Sequence, residues 1–393
     1  MKFELTKIDP HTCSIEELKK EINRLSSIKE EYQNIEQSNK RFIVSIYGAI
    51  GSVFFSHYNA AVAEAVTLQG RDIDKFASKI IDEYFKNEWH LDKELHEKLG
   101  LTNVSKLNFD TLTKYMDTDS FYLSLNEALI SCDFKENPVD FILKVRKYRL
   151  EGYLDKKLDE YAKRFKTKNI QNFELEKISH SAILLAKKKY ILDLAWKDTG
   201  DDVGIYYKPQ EKIKYVGIEI VQSSTSKFAR KIIKELLKYT LDKKNELNYA
   251  EVVKKLKEYK KEFVLQHPED VCIQKSIGDY EKYILEDRKE FRIAEKCPIN
   301  VRAAGYYNFK LQNSKYKSKY ELLKTGVKVK YYFSNGEYDI FGFIPNNYPI
   351  EFAPSMNFNT QFEKTIIDPY NRILAAIGLQ SIPGNLITNK SLF

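Results

Sequence analysis

Residues 42–63, FIVSIYGAIGSVFFSHYNAAVA, run for 22 positions without a formal charge, about the length that crosses a bilayer. Apolar surface on that scale is costly to leave in water, so the segment is expected either in lipid or under protein. Ser45, Ser52, Ser56, His57, Asn59 and the glycines at 48 and 51 argue against lipid. The expectation is therefore a buried helix followed by a turn, and no membrane association. The opening MKFELTKIDP carries charge where a secretory signal would be apolar. Cys13, Cys132, Cys272 and Cys297 are widely spaced, with no CxxC and no His at metal-ligand spacing. They read as reduced thiols, which suits a cytoplasmic location.

Composition sets the scale of what surrounds this run. A chain of 393 residues with 43% hydrophobic content can build two or three domains with real cores, which excludes disorder and a small disulfide scaffold. Lys and Arg exceed Asp and Glu by 64 − 56 = 8, and 27 Tyr and 23 Phe accompany the excess. A basic, aromatic chain suits an extended polyanion. However, 53 of the 64 basic residues are Lys, and abundant Ile, Asn and Tyr are what AT-rich coding gives, so charge alone leaves nucleic-acid binding open.

Periodicity predicts a mixed α+β chain. Residues 14–35 read as a helix opened by a Ser14/Glu17 capping box, with Leu18, Ile22, Leu25 and Ile28 in apolar register. A second helix is expected from Gln37 to Ile50 and a third from Asn59 to Phe85. The segment TLTKYMDTDSFYLSLN then alternates with period two about an acidic turn, as a β-hairpin does. Ten basic and four acidic residues between Phe141 and Lys168 fall mostly in helical register, a pattern of a solvated helix face. AILLAKKKYILDLAW and KIKYVGIEIVQ read as strands. SSTSKFARKIIKELLKY opens a helix with Ser223, Ser224 and Thr225 as capping hydroxyls and Phe228, Ile232, Ile233 and Leu236 as its buried stripe. Phe343–Asn359 reads as loop, and a last helix spans Gln361–Gly378.

Three constellations could carry chemistry. In Tyr115-Met116-Asp117-Thr118-Asp119-Ser120 two carboxylates two apart crowd a hairpin turn, an arrangement that a divalent cation neutralises and that recurs in phosphoryl and nucleotidyl transfer. An ordinary Asp-rich turn has the same residues. On a helix, Lys40, Val44 and Tyr47 share one stripe, so an ammonium and an aromatic ring would face one ligand; a surface Lys beside a core Tyr is the plain alternative. Ala186-Lys187-Lys188-Lys189-Tyr190, followed by Val216-Gly217-Ile218-Glu219 and Ser223-Ser224-Thr225, would alternate ammonium groups along a strand onto a phosphate or groove acceptor, or simply solvate a sheet edge.

The order of these motifs resembles the family B DNA polymerases, and among them the T-even-type phage replicative enzymes. The likeness extends to Lys296-Cys297-Pro298-Ile299-Asn300-Val301-Arg302 and to the closing helix Phe362–Leu379. It implies an α+β partial palm, an antiparallel sheet with helices, flanked by helical fingers and a mainly helical thumb. The corresponding boundaries are fingers 1–51, palm 52–221 and thumb 222–393. By resemblance, Asp119 is the metal-ligating catalytic aspartate and Asp117 its neighbour in the catalytic pair. Lys40 would bind the dNTP triphosphate and Tyr47 would sit beside the nascent base pair. Lys187, Lys188, Lys189 and Tyr190 would hold primer-template DNA, and Leu392 and Phe393 would end a tail that binds a sliding clamp. Two Mg²⁺ ions are the implied cofactors.

The sequence departs from the pattern at Val44, where the family has Asn, at Lys189 for Arg, and at Ser226 for Pro. No DxxSLYPS segment, the source of the second metal aspartate, occurs in the chain. The resemblance thus implies the C-terminal subunit of a split polymerase. The exonuclease and the missing carboxylate would come from a separate N-terminal polypeptide, which would also cover strands within 107–125 and 181–195 that otherwise form open sheet edges. A non-catalytic module that binds primer-template and clamp is the alternative.

Overall fold

A computed structural model describes residue 9 and residues 12–117, 119–200, 203–243, 246–285 and 290–388. The chain forms two compact units, the first from residues 1–136 and 144–172, the second from 137–143 and 173–393.

The first unit opens with helix α1 (Ile15–Ile50). Its capping box is present: Ser14 Oγ accepts from the Glu17 amide at 3.3 Å and Glu17 Oε2 accepts from the Ser14 amide at 2.9 Å. The break expected near residue 36 does not occur, because Gln, Glu, Ser, Asn and Lys there all tolerate a helix and neither Gly nor Pro interrupts. No residue of α1 is buried, so its apolar register meets no core within this unit. The uncharged run is likewise open to solvent. Phe42, Ile43, Val44, Val53 and Phe54 are exposed, Phe54 at 96%. The expectation of burial is therefore corrected: the apolar side chains of residues 42–47 and 53–54 stay exposed, while Ala49 and Ile50, beside the start of the next helix, are half-buried. No helix among them is long and apolar enough to cross a membrane.

Helix α2 (Ala60–Glu83) starts at Asn59, whose Oδ1 accepts from the Val62 amide at 3.1 Å. It continues through a π turn, Tyr84–Glu88, and the core of the unit gathers around Ala77, Ile80, Ile81, Tyr84, Phe85 and Trp89. Helix α3 (Lys93–Leu99) ends at Gly100. Strands β1 (Thr113–Asp117) and β2 (Ser120–Leu123) pair antiparallel with Asp117 opposite Ser120. Helices α4 (Asn126–Ile130) and α6 (Glu151–Arg164) follow; α5 (Pro138–Val145), between them in the chain, belongs through residue 143 to the second unit, where Val139 packs with Ile178 and Trp196. In α6, Leu154, Leu158 and Ala162 are buried and the basic side chains are largely solvated, as the pattern predicts.

The second unit begins its sheet with β3 (Lys177–Ala186) and β4 (Lys189–Lys197), joined by a tight turn. Strands β5 (Ile205–Tyr206) and β6 (Ile213–Val216) both pair with β4. Helix α7 (Lys227–Lys243) is capped by Ser226 Oγ, which accepts from the Ala229 amide at 3.1 Å, rather than by Ser223, Ser224 or Thr225. Its Ala229, Ile232, Ile233, Leu236 and Leu237 are buried, with Phe228 partly so. Helices α8 (Tyr249–Phe263) and α9 (Pro268–Val271), strand β7 (Ile273–Ser276), helix α10 (Tyr280–Tyr283), strands β8 (Ile284–Leu285) and β9 (Arg292–Ile293) and helix α11 (Ile299–Gln312) lead to β10 (Lys328–Phe333) and β11 (Ile340–Phe343). The sheet order there is β11-β10-β7, antiparallel.

Helix α11 has no wet face to speak of, and the largest core of the chain forms around it. Tyr306, Tyr307, Leu311, Val329, Tyr332, Phe341 and Phe343 pack there with Phe362 and Tyr370. Asn308, buried in this core, is satisfied on both sides: its Nδ2 donates to the Leu323 carbonyl and its Oδ1 accepts from the Leu323 amide, both at 2.8 Å. The chain closes with α12 (Phe358–Phe362), a π turn Glu363–Ile367, α13 (Asp368–Ala376) and α14 (Asn385–Thr388). The expected loop is present but runs over 344–357, since Phe343 belongs to β11 and the closing helical segment starts three residues early at Phe358; that segment, broken by the π turn, ends at Ala376. Leu392 and Phe393 lie outside the described residues. The fold is α+β with small antiparallel sheets, as the sequence predicts.

Candidate functional site

The acidic hairpin belongs to the first unit. Alternation in β1 and β2 places Tyr115 against Tyr122 across the strands, ring centroids 5.5 Å apart. The strands end in a tight turn in which the Asp119 amide donates to the Asp117 carbonyl at 2.6 Å. Asp117 is half-buried at the end of β1 and Asp119 is exposed at the turn; Thr118 lies outside the described residues. The sheet has two strands among the described residues, and almost every residue of both is only half-buried. A two-stranded sheet of this kind is marginal by itself.

Helix α2 backs the hairpin. Asp82 Oδ1 accepts from the Leu112 amide at 2.9 Å, and the hydroxyls of Ser78 and Thr113 lie 2.6 Å apart. One turn further toward the start of α2 is Asp74, which is 3% exposed and whose Oδ2 has no hydrogen-bond partner. Burial, and then the charge of Asp119, raises its carboxyl to about 6. The sequence reading missed Asp74. Its signal is a carboxylate on the face where the 3.6-residue period of Ile73, Ala77, Ile80, Ile81 and Tyr84 puts the core.

The other predicted residues of this unit sit on α1. Lys40 Nζ lies 2.7 Å from Glu36 Oε1, an exposed pair, and Tyr47 is exposed two turns further on. Val44 lies between them on the same stripe and is exposed as well, so the expected spacing is present.

The Lys-rich motif lies in the second unit, and the structure corrects its form. Lys187 and Lys188 are not alternating strand positions; they make the β3–β4 turn, with Ala186 opposite Lys189 and Leu184 opposite Tyr190. The run KKK interrupts the apolar alternation, and three like charges are best solvated at a turn. Lys188 takes φ 59°, which a side chain adopts at a cost. Gly217 supports the turn from behind: at φ 64°, a Cβ there would stand 2.0 Å from the Lys188 carbonyl oxygen. All three ammonium groups are thereby exposed together, with Tyr190 half-buried behind them between Leu184 and Val216. Glu219 accepts from Arg372 Nη2 of α13 at 2.7 Å, and Gln222 Nε2 donates to the Gly217 carbonyl at 3.1 Å. GxExxxSST is therefore a supporting segment for the turn.

The donor set of the hairpin is hard oxygen, the type that Mg²⁺ takes, and the orphaned Asp74 oxygen leaves local negative charge unbalanced. Among the described residues, no group of three or more His, Cys, Asp or Glu is placed to hold a metal ion. The two carboxylates of the hairpin do not by themselves make up a divalent-cation site.

These elements define an α+β protein with an acidic hairpin on an unfinished sheet and a basic turn. Comparison with curated proteins gives it relatives. The chain is 26% identical to the DNA-directed DNA polymerase of Escherichia phage RB69 over 220 residues, 52% of this chain and 22% of that protein. It is 24% identical to the DNA-directed DNA polymerase of Enterobacteria phage T4 over 291 residues, 70% of this chain and 29% of that protein. It is 30% identical to the DNA polymerase of Choristoneura biennis entomopoxvirus over 169 residues, 41% of this chain and 17% of that protein. The chain spans under a third of the length of these relatives. No family model matches it. The resemblance read from the motifs is thus met by similarity to viral DNA-directed DNA polymerases over part of the chain.

Proposed function

We propose that these 393 residues are the C-terminal part of a family B DNA-directed DNA polymerase, with fingers 1–51, palm 52–221 and thumb 222–393. The observation that carries this reading is the Asp117/Asp119 turn on a two-stranded, half-exposed sheet. Such a sheet is suited to being extended by strands that bring the second metal aspartate. That aspartate, with the exonuclease, belongs to an N-terminal polypeptide outside these residues, and the enzyme works as a split polymerase in the host cytoplasm. The open apolar end of α1 supports the same reading, because it offers surface for that polypeptide to cover.

In the completed site Asp119 and Asp117 hold charge at the end of β1. Lys40, on exchanging Glu36 for phosphate oxygens, takes the triphosphate of a dNTP, and Tyr47 sits beside the nascent pair. The turn Lys187–Lys189 grips the primer-template backbone, and Tyr190 fixes the strand behind it. Leu392 and Phe393 engage a sliding clamp. Two Mg²⁺ ions, when bound, would lower the barrier for attack of the primer 3′-OH on the α-phosphate, with pyrophosphate leaving.

Primer extension with Mg²⁺ and dNTPs tests this, comparing the chain alone with the chain plus an N-terminal polymerase polypeptide carrying motif A. Synthesis is expected only in the mixture, and Asp119→Asn should lower it by more than about 100-fold while DNA binding persists. Synthesis by neither would replace the reading with a non-catalytic DNA- and clamp-binding module. Synthesis by the chain alone, or unchanged synthesis in the variant, would refute the assignment of Asp119.

A further inference from the structure

The face of α2 that meets the hairpin carries a polar stripe, Asp74, Ser78 and Asp82, one helical turn apart. The last two have evident structural work, since Ser78 meets Thr113 and Asp82 accepts from the Leu112 amide. Asp74 has none. Its Oδ2 is buried without a donor, no basic residue pairs with it among the described residues, and the charge that acts on it is the carboxylate of Asp119. A buried, unpartnered carboxylate near a second carboxylate is unfavourable unless a cation offsets both. Asn at this position would fill the same space without that charge, so packing gives no reason for an acid here.

We propose that Asp74 is a positioning carboxylate of the divalent-cation site: it lies buried on the helix that backs the hairpin, one turn beyond Ser78, and raises the affinity of the hairpin for the cation through charge. It acts through Asp119 rather than by touching the ion, because the described carboxylates do not close into a three-ligand group. The inference rests on the reading of Asp119 as a metal ligand. It adds a carboxylate that comes from the helix under the sheet and not from the hairpin itself.

Mn²⁺ titration of the 393-residue chain mixed with an N-terminal polymerase polypeptide carrying motif A, followed by the electron paramagnetic resonance signal of the free ion, separates the two claims. Asp74→Asn should weaken Mn²⁺ binding by about tenfold or more while raising the thermal unfolding midpoint. Opposite changes of that kind cannot come from misfolding. Asp74→Glu, which keeps the charge, should bind within about threefold of the parent. Asp82→Asn should bind as the parent does. Parental affinity in Asp74→Asn, or equal weakening in Asp82→Asn, overturns the inference and leaves Asp119 untouched. Parental affinity in Asp119→Asn, or no Mn²⁺ binding by the parent, overturns the cation site and this inference with it.

Discussion

Replacing Gly217 with Ala is the sharpest test of how the basic turn is built. The residue sits at φ 64°, where a Cβ costs about 1–2 kcal/mol. The new atom would also stand 2.0 Å from the Lys188 carbonyl oxygen and 3.2 Å from Lys189 Cγ. Normal contact is about 3.5 Å or more, so the oxygen must retreat by over 1 Å. The atom in the way is backbone, and Lys188 is itself already at φ 59°, so the turn has no slack to give. Overpacking of this kind costs about 1–3 kcal/mol, which brings the sum to about 2–5 kcal/mol. Urea unfolding read by hydrogen exchange of peptides covering 177–197 and 205–222 measures it in the second unit alone. Gly278→Ala is the control, since a Cβ there meets nothing within 4 Å, and it should change stability by under about 1 kcal/mol. A Gly217→Ala loss below about 1 kcal/mol, or one no larger than the control's, would refute the claim that Gly217 holds the turn.

Two further outcomes follow from the same kind of reasoning. Lys188→Gly relieves the positive φ at the turn and should stabilise the second unit by up to about 1 kcal/mol, yet remove one backbone contact, lowering the slope of log affinity against log salt for duplex DNA by about 0.9; a salt slope that does not move would exclude Lys188 from the DNA contact. In the first unit, Arg149 Nη2 donates to Asp92 Oδ1 at 2.7 Å and Tyr84 donates to Oδ2 at 2.7 Å. Burial pushes the Asp92 carboxyl up, but the bonds from Tyr84 and Arg149 outweigh it and hold the group below the ordinary carboxylate value. A depressed carboxylate stabilises the fold above its unfolded value and loses that contribution as pH falls through the folded one. Arg149→Ala should therefore cost about 1.5–3 kcal/mol at neutral pH, and the deficit should shrink below about pH 4; a pH-independent deficit in thermal or urea unfolding would show that packing, not the charge pair, is lost.

What the sequence revealed and what it concealed have one physical origin. Signals that act within a few residues were legible: the Ser14/Glu17 box, the helical period from Asn59, the period-two alternation around Asp117 and the stripe of α7 all depend on near neighbours, and the structure has them. Failures came where the outcome is set by what lies far along the chain or outside it. The run at 42–63 is apolar enough to demand a cover, but sequence cannot say whether the cover is this chain, and the apolar side chains of residues 42–47 and 53–54 stay exposed. The KKK triplet was read as strand because its flanks are strands. Three solvated charges and the close approach of Gly217, 29 positions beyond Lys188, decide for a turn instead. Asp74 was invisible for the same reason. A lone acid on an apolar helix face carries no motif, and its meaning appears only when folding sets it near Asp119, 45 residues on. Motifs are thus legible because near neighbours in the chain make them, while the surroundings of a residue such as Asp74 are fixed by packing between segments. The β1-β2 sheet carries the same lesson: what its two half-exposed strands can pair with is set by the surface they offer, not by any local pattern in the strands themselves.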